Sequence, residues 1–149
     1  MGDARHPEME HRLDGYSDAL RDAGIPFDAN LIIPTDFSRS DGYMKTDHII
    51  LDPTFKCDAI FAVSDNIALG VMKRLAEAEV KVPEEIAIVG FDDNPLAVFA
   101  TPGITTVRQD IRLGGKLLVR NLIDIIDGKT VGHVAMPVEV IVRESCGNA

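Results

Sequence analysis

The sequence lacks a long apolar run and a basic surface, and each absence excludes a class of protein. No apolar run approaches the roughly 20 residues that a membrane-spanning helix needs. The first eight residues contain no apolar segment of the kind found in signal peptides. Fifteen Lys and Arg residues oppose 24 Asp and Glu residues, which gives a formal charge of −9. We therefore expect a cytoplasmic protein that contacts no membrane and does not bind DNA through this chain alone.

Cysteine and histidine are both sparse. Cys57 and Cys146 are far apart and lack the spacing of a metal or redox motif, so we predict reduced structural thiols. The four histidines form no His-x-x-x-His or His-x-His pair. Gly-x-Gly-x-x-Gly, phosphate-binding Gly-Lys-Ser/Thr and nucleophile-elbow motifs are also absent. The sequence thus predicts no metal site, no cofactor and no enzyme activity.

What the sequence does contain is an alternation of helix and strand patterns over 149 residues, a length suited to one domain. Apolar periodicity and end signals predict helices at 9–24, 41–51, 65–75 and 111–125, the last followed by Gly128, with a short helical piece at 96–99. Short β-branched and apolar runs predict strands at 31–33, 59–63, 86–89, 104–107 and 138–143, the last near a sheet edge. Alternating elements with short connections predict an α/β fold, with a mostly parallel, doubly wound sheet covered by helices.

Polar and acidic residues follow two of the predicted strands. Ser64 and Asp65 come after 59–63, and Asp92 and Asp93 come shortly after 86–89. We interpret Asp65 as the cap of the next helix, and Gly90 as the residue that lets the chain turn after its strand. Open α/β sheets bind small polar ligands at the carboxyl edge of their strands. The chain is therefore predicted to be a lobe of a ligand-binding protein.

The order of these motifs resembles the effector-binding core of the LacI/GalR family of bacterial transcription regulators. The matching segments are RLDGYSDAL (12–20), DFSRSDGY (36–43), DAIFAVSDNIALG (58–70), VPEEIAIVGFDD (82–93), TTVRQD (105–110), LG (113–114) and VRES (142–145). The resemblance covers nearly the whole chain, and it departs from the family's small, alanine-rich pattern at 44–48.

The resemblance implies one lobe of a type I periplasmic-binding-protein-like fold, truncated at its N-terminus. Residues 1–149 would be the C-terminal lobe of the effector-binding domain, and 104–128 would resemble a crossover segment of the first lobe. The helix-turn-helix head, most of the first lobe and the strand preceding Met9 would be absent. DNA would then be contacted only through that absent head. The apolar stripe of Leu118 and Leu122 would be exposed, which favours a homodimer or higher self-association.

Four residues match positions at which the family binds a sugar or a nucleobase-like effector: Arg12, Phe37, Ser64 and Asp92. Arg12 carries a planar fork of donors for adjacent ligand oxygens, and Asp92 can accept from neighbouring hydroxyls. Phe37 offers a flat apolar face, and Ser64 a hydroxyl at a strand end. We predict a small-molecule effector, with a carbohydrate as the favoured class.

Each of these residues also has an ordinary structural interpretation. An arginine on an amphipathic helix is often solvated, and Phe37 could simply belong to the core. Asp92 and Asp93 could together cap the following turn, and we interpret Asp92 as the ligand residue and Asp93 as the cap. For the whole chain, a transport-type sugar-binding protein with the same fold is the alternative to a regulator. The TTVRQ and VRES segments favour the regulator.

Overall fold

A computed structural model describes residues 7–147, and within this range they form four α-helices and a four-stranded sheet. The helices are α1 (Pro7–Asp22), α2 (Arg39–Leu51), α3 (Asp65–Glu77) and α4 (Ile111–Ile126). The strands are β1 (Ala59–Phe61), β2 (Ala87–Phe91), β3 (Thr105–Gln109) and β4 (Val138–Ile141). Short 3-10 turns occupy Ala29–Leu31 and Glu144–Cys146.

The strands lie in the order β1-β2-β3-β4, so consecutive strands are neighbours. β1, β2 and β3 are parallel, whereas β4 pairs antiparallel with β3 at the edge of the sheet. This arrangement confirms the predicted mostly parallel sheet with helices and the position of the last strand. The opening segment, predicted to be polar and to carry no strand, falls on residues 1–6 and lies outside the described residues.

Three local predictions were wrong. Residues 31–33 form no strand, because the Asp28 side chain accepts from the Asn30 N–H and the chain closes into the 3-10 turn instead. The 96–99 piece is a set of turns rather than a helix. Gly90 does not turn the chain, because it lies inside β2. A Cβ at Gly90 would collide with the Asp65 carboxylate, so glycine is required there for space.

The core lies between the sheet and the pair formed by α2 and α3. α3 packs on both α2 and β2, and its apolar stripe meets the inner residues of the strands. The buried apolar side chains are Ala62, Ile67, Ala68, Val71, Met72, Leu75, Ile86, Ile88, Ala97 and Ile104. Gly42 on α2 and Gly70 on α3 lie at the helix crossing, where a Cβ on either would meet backbone atoms of the other helix. The two helices therefore approach backbone to backbone.

The C-terminal turn is fastened to the middle of the sheet by Ser145, which is fully buried. Its hydroxyl donates to the Ile88 carbonyl at 2.6 Å and accepts from the Thr105 N–H at 2.9 Å. The hydroxyl thus bridges β2 and β3 where the backbones of the two strands offer one acceptor and one donor. The VRES segment is in this respect a structural element of the sheet.

Replacing Ser145 with alanine is expected to lower the free energy of unfolding by about 1–3 kcal/mol. The substitution leaves a buried carbonyl and a buried N–H without their partner, and such groups carry the full cost of desolvation. Urea denaturation at neutral pH would measure the change. A variant with Ser40→Ala, at an exposed site, is the matched control, and equal midpoints for the two variants would contradict the prediction.

α4 and β4 present exposed apolar surface. No α4 residue is buried, and Leu118 and Leu122 are 73% and 57% exposed. Val138 and Val140 of β4 are also exposed. The predicted exposure of the Leu118 and Leu122 stripe is confirmed. Among residues 7–147, no helix is both long and apolar enough to span a lipid bilayer.

Candidate functional site

The carboxyl ends of β1 and β2 are joined by Arg12 of α1. Its Nη1 donates to the Val63 carbonyl at 2.6 Å, one residue before Ser64. Its guanidinium carbon lies 3.6 Å from the centroid of the Phe91 ring, one residue before Asp92. Stacking of a guanidinium on an aromatic face is a favourable cation–π arrangement. Arg12 therefore lies at the edge where the sequence predicts the ligand residues, and it links two neighbouring strand ends.

An unusual backbone conformation follows β2. Asp92 has φ +104° and Asp93 has φ +50°, a region that L-residues rarely adopt. Strain of this kind costs of order 1–3 kcal/mol per residue and clusters at functional sites. In the regular part of the ladder Gly90 pairs with Thr106 and Phe91 pairs with Val107.

The two positive φ angles exchange the sides on which the aspartates lie. If the ladder continued regularly, Asp92 would be opposite Arg108 and Asp93 opposite Gln109. The observed pairs are crossed, because Asp92 Oδ1 accepts from Gln109 Nε2 at 3.1 Å and Asp93 Oδ2 accepts from Arg108 Nε at 2.7 Å. Gln109 shares its face of β3 with Val107, the partner of Phe91. The kink thus brings the Asp92 carboxylate to the Gln109 side chain, which belongs to the same face of the sheet as Phe91.

Asp92 is exposed, and only some of the hydrogen-bond positions of its carboxylate are filled. Its backbone N–H donates to Val107 at 2.9 Å, which anchors the residue to β3. Within residues 7–147, Oδ1 accepts from Gln109 and no hydrogen bond reaches Oδ2. A cavity of about 500 Å³ opens beside it, with lining residues that include Arg108, Asp110 and Glu139. The carboxylate is therefore fixed in direction while one oxygen remains available to an incoming donor.

Asp93 is not the predicted cap. Its two oxygens accept from Arg143 Nη2 at 2.6 Å and from Arg108 Nε at 2.7 Å. Arg143 also donates to the Ile104 carbonyl at 2.7 Å, so it joins the turn after β2 to the beginning of β3. The turn after β2 is capped by Asn94, whose Oδ1 accepts from the Leu96 N–H. Burial raises the pKa of Asp93, but the hydrogen bonds from Arg143 and Arg108 outweigh burial and lower that pKa below its ordinary value.

The lowered pKa of Asp93 predicts a specific acid sensitivity. A carboxylate with a folded pKa below its unfolded value stabilises the fold above the unfolded pKa, and that stabilisation is lost as pH falls through the folded pKa. Urea midpoints measured between pH 6 and pH 2 should therefore fall more steeply for the wild type than for Asp93→Asn, which has no carboxylate to titrate at this position. Parallel curves for the two proteins would contradict the assignment.

The N-terminus of α3 is capped by Ser64 and not by Asp65. Ser64 is the N-cap of α3, since its Oγ accepts from the Ile67 N–H at 3.4 Å, and only 7% of the residue is exposed. The prediction that Asp65 caps the helix was wrong. Asp65 is buried within the first turn, where its carboxylate accepts from Thr106 Oγ1 at 2.7 Å and from the Asn94 N–H at 2.6 Å. Burial raises the pKa of Asp65.

Phe37 lies two residues before α2 with φ +68°, and its ring is partly exposed rather than part of the core. The next residue, Ser38, caps α2 by accepting from the Asp41 N–H at 3.0 Å. Arg39 then donates to Asn66 Oδ1 at 3.0 Å, which links the N-terminus of α2 to that of α3. This link joins the segment that follows Phe37 to the residue two positions after Ser64. Positive φ at both Phe37 and Asp92 marks two of the four candidates as conformationally constrained.

The structure adds residues that sequence reasoning did not single out: Phe91, Gln109, Arg143 and Asp65 in its buried role. All of them lie inside segments that matched the family pattern, but their partners are distant in sequence, so no local signal paired them. Within the described part of the chain, no group of three or more His, Cys, Asp or Glu residues could hold a metal ion.

Comparison with known proteins gives consistent matches along the chain. A family model described as a periplasmic binding protein-like domain matches residues 1–146. The chain is 38% identical over 136 residues to the HTH-type transcriptional regulator CelR of Thermobifida fusca, which covers 90% of this chain and 40% of CelR. It is 35% identical over 146 residues to the HTH-type transcriptional repressor CytR of Escherichia coli, covering 97% of this chain and 42% of CytR.

Solved structures agree with this fold. The CelR–cellobiose complex has a TM-score of 0.82 at 37% identity, over 90% of this chain and 41% of that one. The Escherichia coli transcriptional repressor AscG has a TM-score of 0.81 at 30% identity, over 97% of this chain and 52% of that one. The chain spans about two fifths of the length of these curated relatives and up to about half of these structures.

Proposed function

Because this chain belongs to the family of periplasmic binding protein-like domains, in the form found in LacI-type transcriptional regulators, we propose that it senses a small polar effector in such a regulator. The favoured effector class is a carbohydrate. Arg12, Phe37, Ser64 and Asp92 are the proposed ligand residues, and no cofactor takes part. The single observation that supports this most directly is the convergence of Arg12 with the ends of β1 and β2, beside an Asp92 carboxylate with one available oxygen.

The chemistry of this edge suits a sugar. A carboxylate accepts from neighbouring hydroxyl groups, and a guanidinium donates to ring or hydroxyl oxygens. The hydrogen bond to Val63 and the stacking on Phe91 hold the Arg12 guanidinium in position at this edge, where we propose that it faces the ligand. The partly exposed ring of Phe37 supplies an apolar face. The hydroxyl of Ser64 caps α3 and is nearly buried, so we propose that its position matters for shape rather than as a strong donor.

We further propose that residues 1–149 are the C-terminal lobe of a two-lobed effector domain. In this proposal 104–128 contains the crossover: β3 stays in the sheet of this lobe, and the exposed apolar face of α4 belongs to the first lobe. The absence of buried residues on α4 and its exposed Leu118 and Leu122 support this assignment. Effector would then draw the two lobes together, which is a shift between domain arrangements.

Partners and location follow from the same proposal. DNA would be bound by a helix-turn-helix head and not by these residues, in the cytoplasm of a bacterium, with no membrane contact and no enzymatic step. We propose a homodimer or higher assembly through the surface near α1 and α3. Light scattering should give a mass above that of one 16.2 kDa chain at high concentration. A monomeric mass at every concentration would contradict the assembly but not the sensing of an effector.

The proposed function is tested by titrating the ¹⁵N-labelled chain with cellobiose and with glucose, followed by amide chemical shifts. An open edge buries less of a ligand than the 70–90% typical of good pockets, so we expect weak binding that requires millimolar sugar. Saturable shifts should appear in 64–66 and 92–94 and at the Arg12 side chain. Glycine betaine at equal concentration is the control for non-specific effects, and adenosine tests the nucleobase class.

Two results would contradict the proposal. The first is the absence of saturable shifts with any of these compounds. The second is a set of saturable shifts confined to the opposite, amino-terminal edge of the sheet near Asp58 and Ala87. Shifts with adenosine alone would leave the sensing function in place and replace the carbohydrate class with a nucleoside class.

A further inference from the structure

Asp65 is a carboxylate buried to 1% exposure at a position that contacts three separate parts of the chain. It follows Ser64 at the end of β1 and begins α3. Oδ1 accepts from the Thr106 hydroxyl of β3 at 2.7 Å, and Oδ2 accepts from the Asn94 N–H, in the turn after β2, at 2.6 Å. Gly90 in β2 leaves the space that the carboxylate occupies.

These contacts tie the two strand ends that carry the proposed ligand residues. Asn94 is two residues beyond Asp92, and Asp65 is one residue beyond Ser64. Thr106 contributes twice, because its Oγ1 also accepts from the Asp93 N–H at 3.3 Å. One carboxylate and one hydroxyl therefore hold the 92–94 turn against both β1 and β3.

The turn needs such anchors because its backbone is strained. Asp92 and Asp93 have positive φ, and conformations of this kind persist only where the surroundings over-determine them. A buried carboxylate is a costly anchor for a surface turn, since well-packed apolar residues commonly stabilise a fold as well or better. Hydrogen bonds to a carboxylate are short and directional, so the contribution of Asp65 lies in fixing geometry.

We propose that Asp65 is a positioning residue of the effector site: it sets the orientation of the 92–94 turn, and through it the direction of the Asp92 carboxylate, without touching the ligand. This inference rests on the proposed function, in which Asp92 binds the effector. It adds a residue that acts on the ligand only through another residue. The 64–66 and 92–94 segments then behave as one rigid unit rather than as two independent loops.

The test combines Asp65→Asn with Asp92→Asn in a double-mutant cycle, read by cellobiose titration of the ¹⁵N-labelled chain. Asn at position 65 keeps the size of the side chain, but its NH₂ cannot accept from Asn94. We expect about a 10-fold loss of affinity in Asp65→Asn, from the usual strength of one charge-assisted hydrogen bond at Asp92. In the Asp92→Asn background the same change should cause less than about a 2-fold further loss. A merely structural role would give additive losses.

A readout without ligand separates this inference from the proposed function. The Asn94 amide proton, bonded to a carboxylate at short distance, should shift upfield in Asp65→Asn while the Ala87 amide proton, at the other edge, does not move. If the Asn94 proton stays in place, the inference is overturned whatever the sugar titrations give. If that proton moves but the wild type binds none of the compounds, the proposed function has failed, and the positioning role falls with it.

Thr106 variants keep the test decisive if Asp65→Asn fails to fold. Thr106→Val removes the donor to Asp65 but retains the carboxylate, and Thr106→Ser retains the hydroxyl. We expect a loss of cellobiose affinity in Thr106→Val and near-wild-type affinity in Thr106→Ser, with both proteins folded by amide dispersion. Equal, wild-type affinities in the folded Thr106→Val and Thr106→Ser variants would overturn the inference.

Discussion

The Asp92→Asn variant is expected to bind cellobiose about 10- to 100-fold more weakly than the wild type, with an unchanged fold. Hydrogen bonds to a charged group contribute about 1.5–3 kcal/mol, and each 1.4 kcal/mol is tenfold in affinity. Asparagine replaces one carboxylate oxygen with an NH₂ group, which cannot accept from a sugar hydroxyl. Asparagine also tolerates positive φ, so the +104° backbone of this position remains accessible. Amide chemical shift titration measures the affinity.

The matched control for this variant is Asp58→Asn. Asp58 is also an exposed aspartate, but it precedes β1 and so lies at the opposite edge of the sheet, where its carbonyl accepts from the Ala87 N–H. The control removes the same charge and should bind cellobiose as the wild type does. If both variants lose affinity equally, the effect is one of net charge, and Asp92 is not a ligand residue.

The Gly70→Ala variant is expected to lose about 3 kcal/mol in the free energy of unfolding, at the upper end of the usual cost of overpacking. A Cβ at this position would collide with the Arg39 carbonyl, which is backbone and cannot rotate away. α2 and α3 would have to separate, and the core between α3 and the sheet would loosen with them. Urea denaturation at neutral pH measures the loss. Gly42→Ala, on the facing helix, should be destabilising for the same reason, because its Cβ would lie 2.6 Å from the Ile67 carbonyl oxygen.

Gly15→Ala is the control for this prediction. Gly15 lies inside α1, and a Cβ there would meet no atom within 4 Å. Alanine has the higher helix propensity, so this variant should be more stable than the wild type by about 0.5–1 kcal/mol. The two substitutions are chemically identical and should have opposite signs. A neutral effect of Gly70→Ala would mean that the helix crossing is more tolerant than its geometry indicates.

Local patterns predicted most of the regular elements. The apolar stripe of α4 and the stop at Gly128 identify that helix in the sequence, and β2 and β3 follow from their β-branched runs. The strand predicted at 31–33 failed for a local reason. Residues 31–33 are of the types found in strands, but the side chain of Asp28 accepts from the Asn30 N–H and closes a turn. Over only three residues, a side-chain hydrogen bond of this kind overrides the effect of apolar composition.

The positions of the candidate site also followed from the sequence, but the contacts within it did not. Residues that follow parallel strands meet at one edge, so Ser64 and Asp92 could be placed near each other from their order alone. The hydrogen-bond partners of these residues could not be predicted in the same way. Asp92 bonds to Gln109, and Asp93 to Arg108, only because two positive φ angles exchange their sides, and no residue type in the sequence requires that conformation.

The sequence by itself determined the class of sheet and the family, and it predicted the edge at which we propose that the ligand lies, because these depend on residue periodicity and on motif order along the chain. Only the tertiary structure shows which polar side chains are bonded within the protein and which remain open to solvent. Ser64 caps α3, and the buried Asp65 carboxylate accepts from the Asn94 N–H. Asp93 forms an ion pair with Arg143. The physical reason is that a carboxylate or hydroxyl takes whichever donor or acceptor folding brings to it, and the partners of Asp65 and Asp93 lie 13 to 50 residues away along the chain.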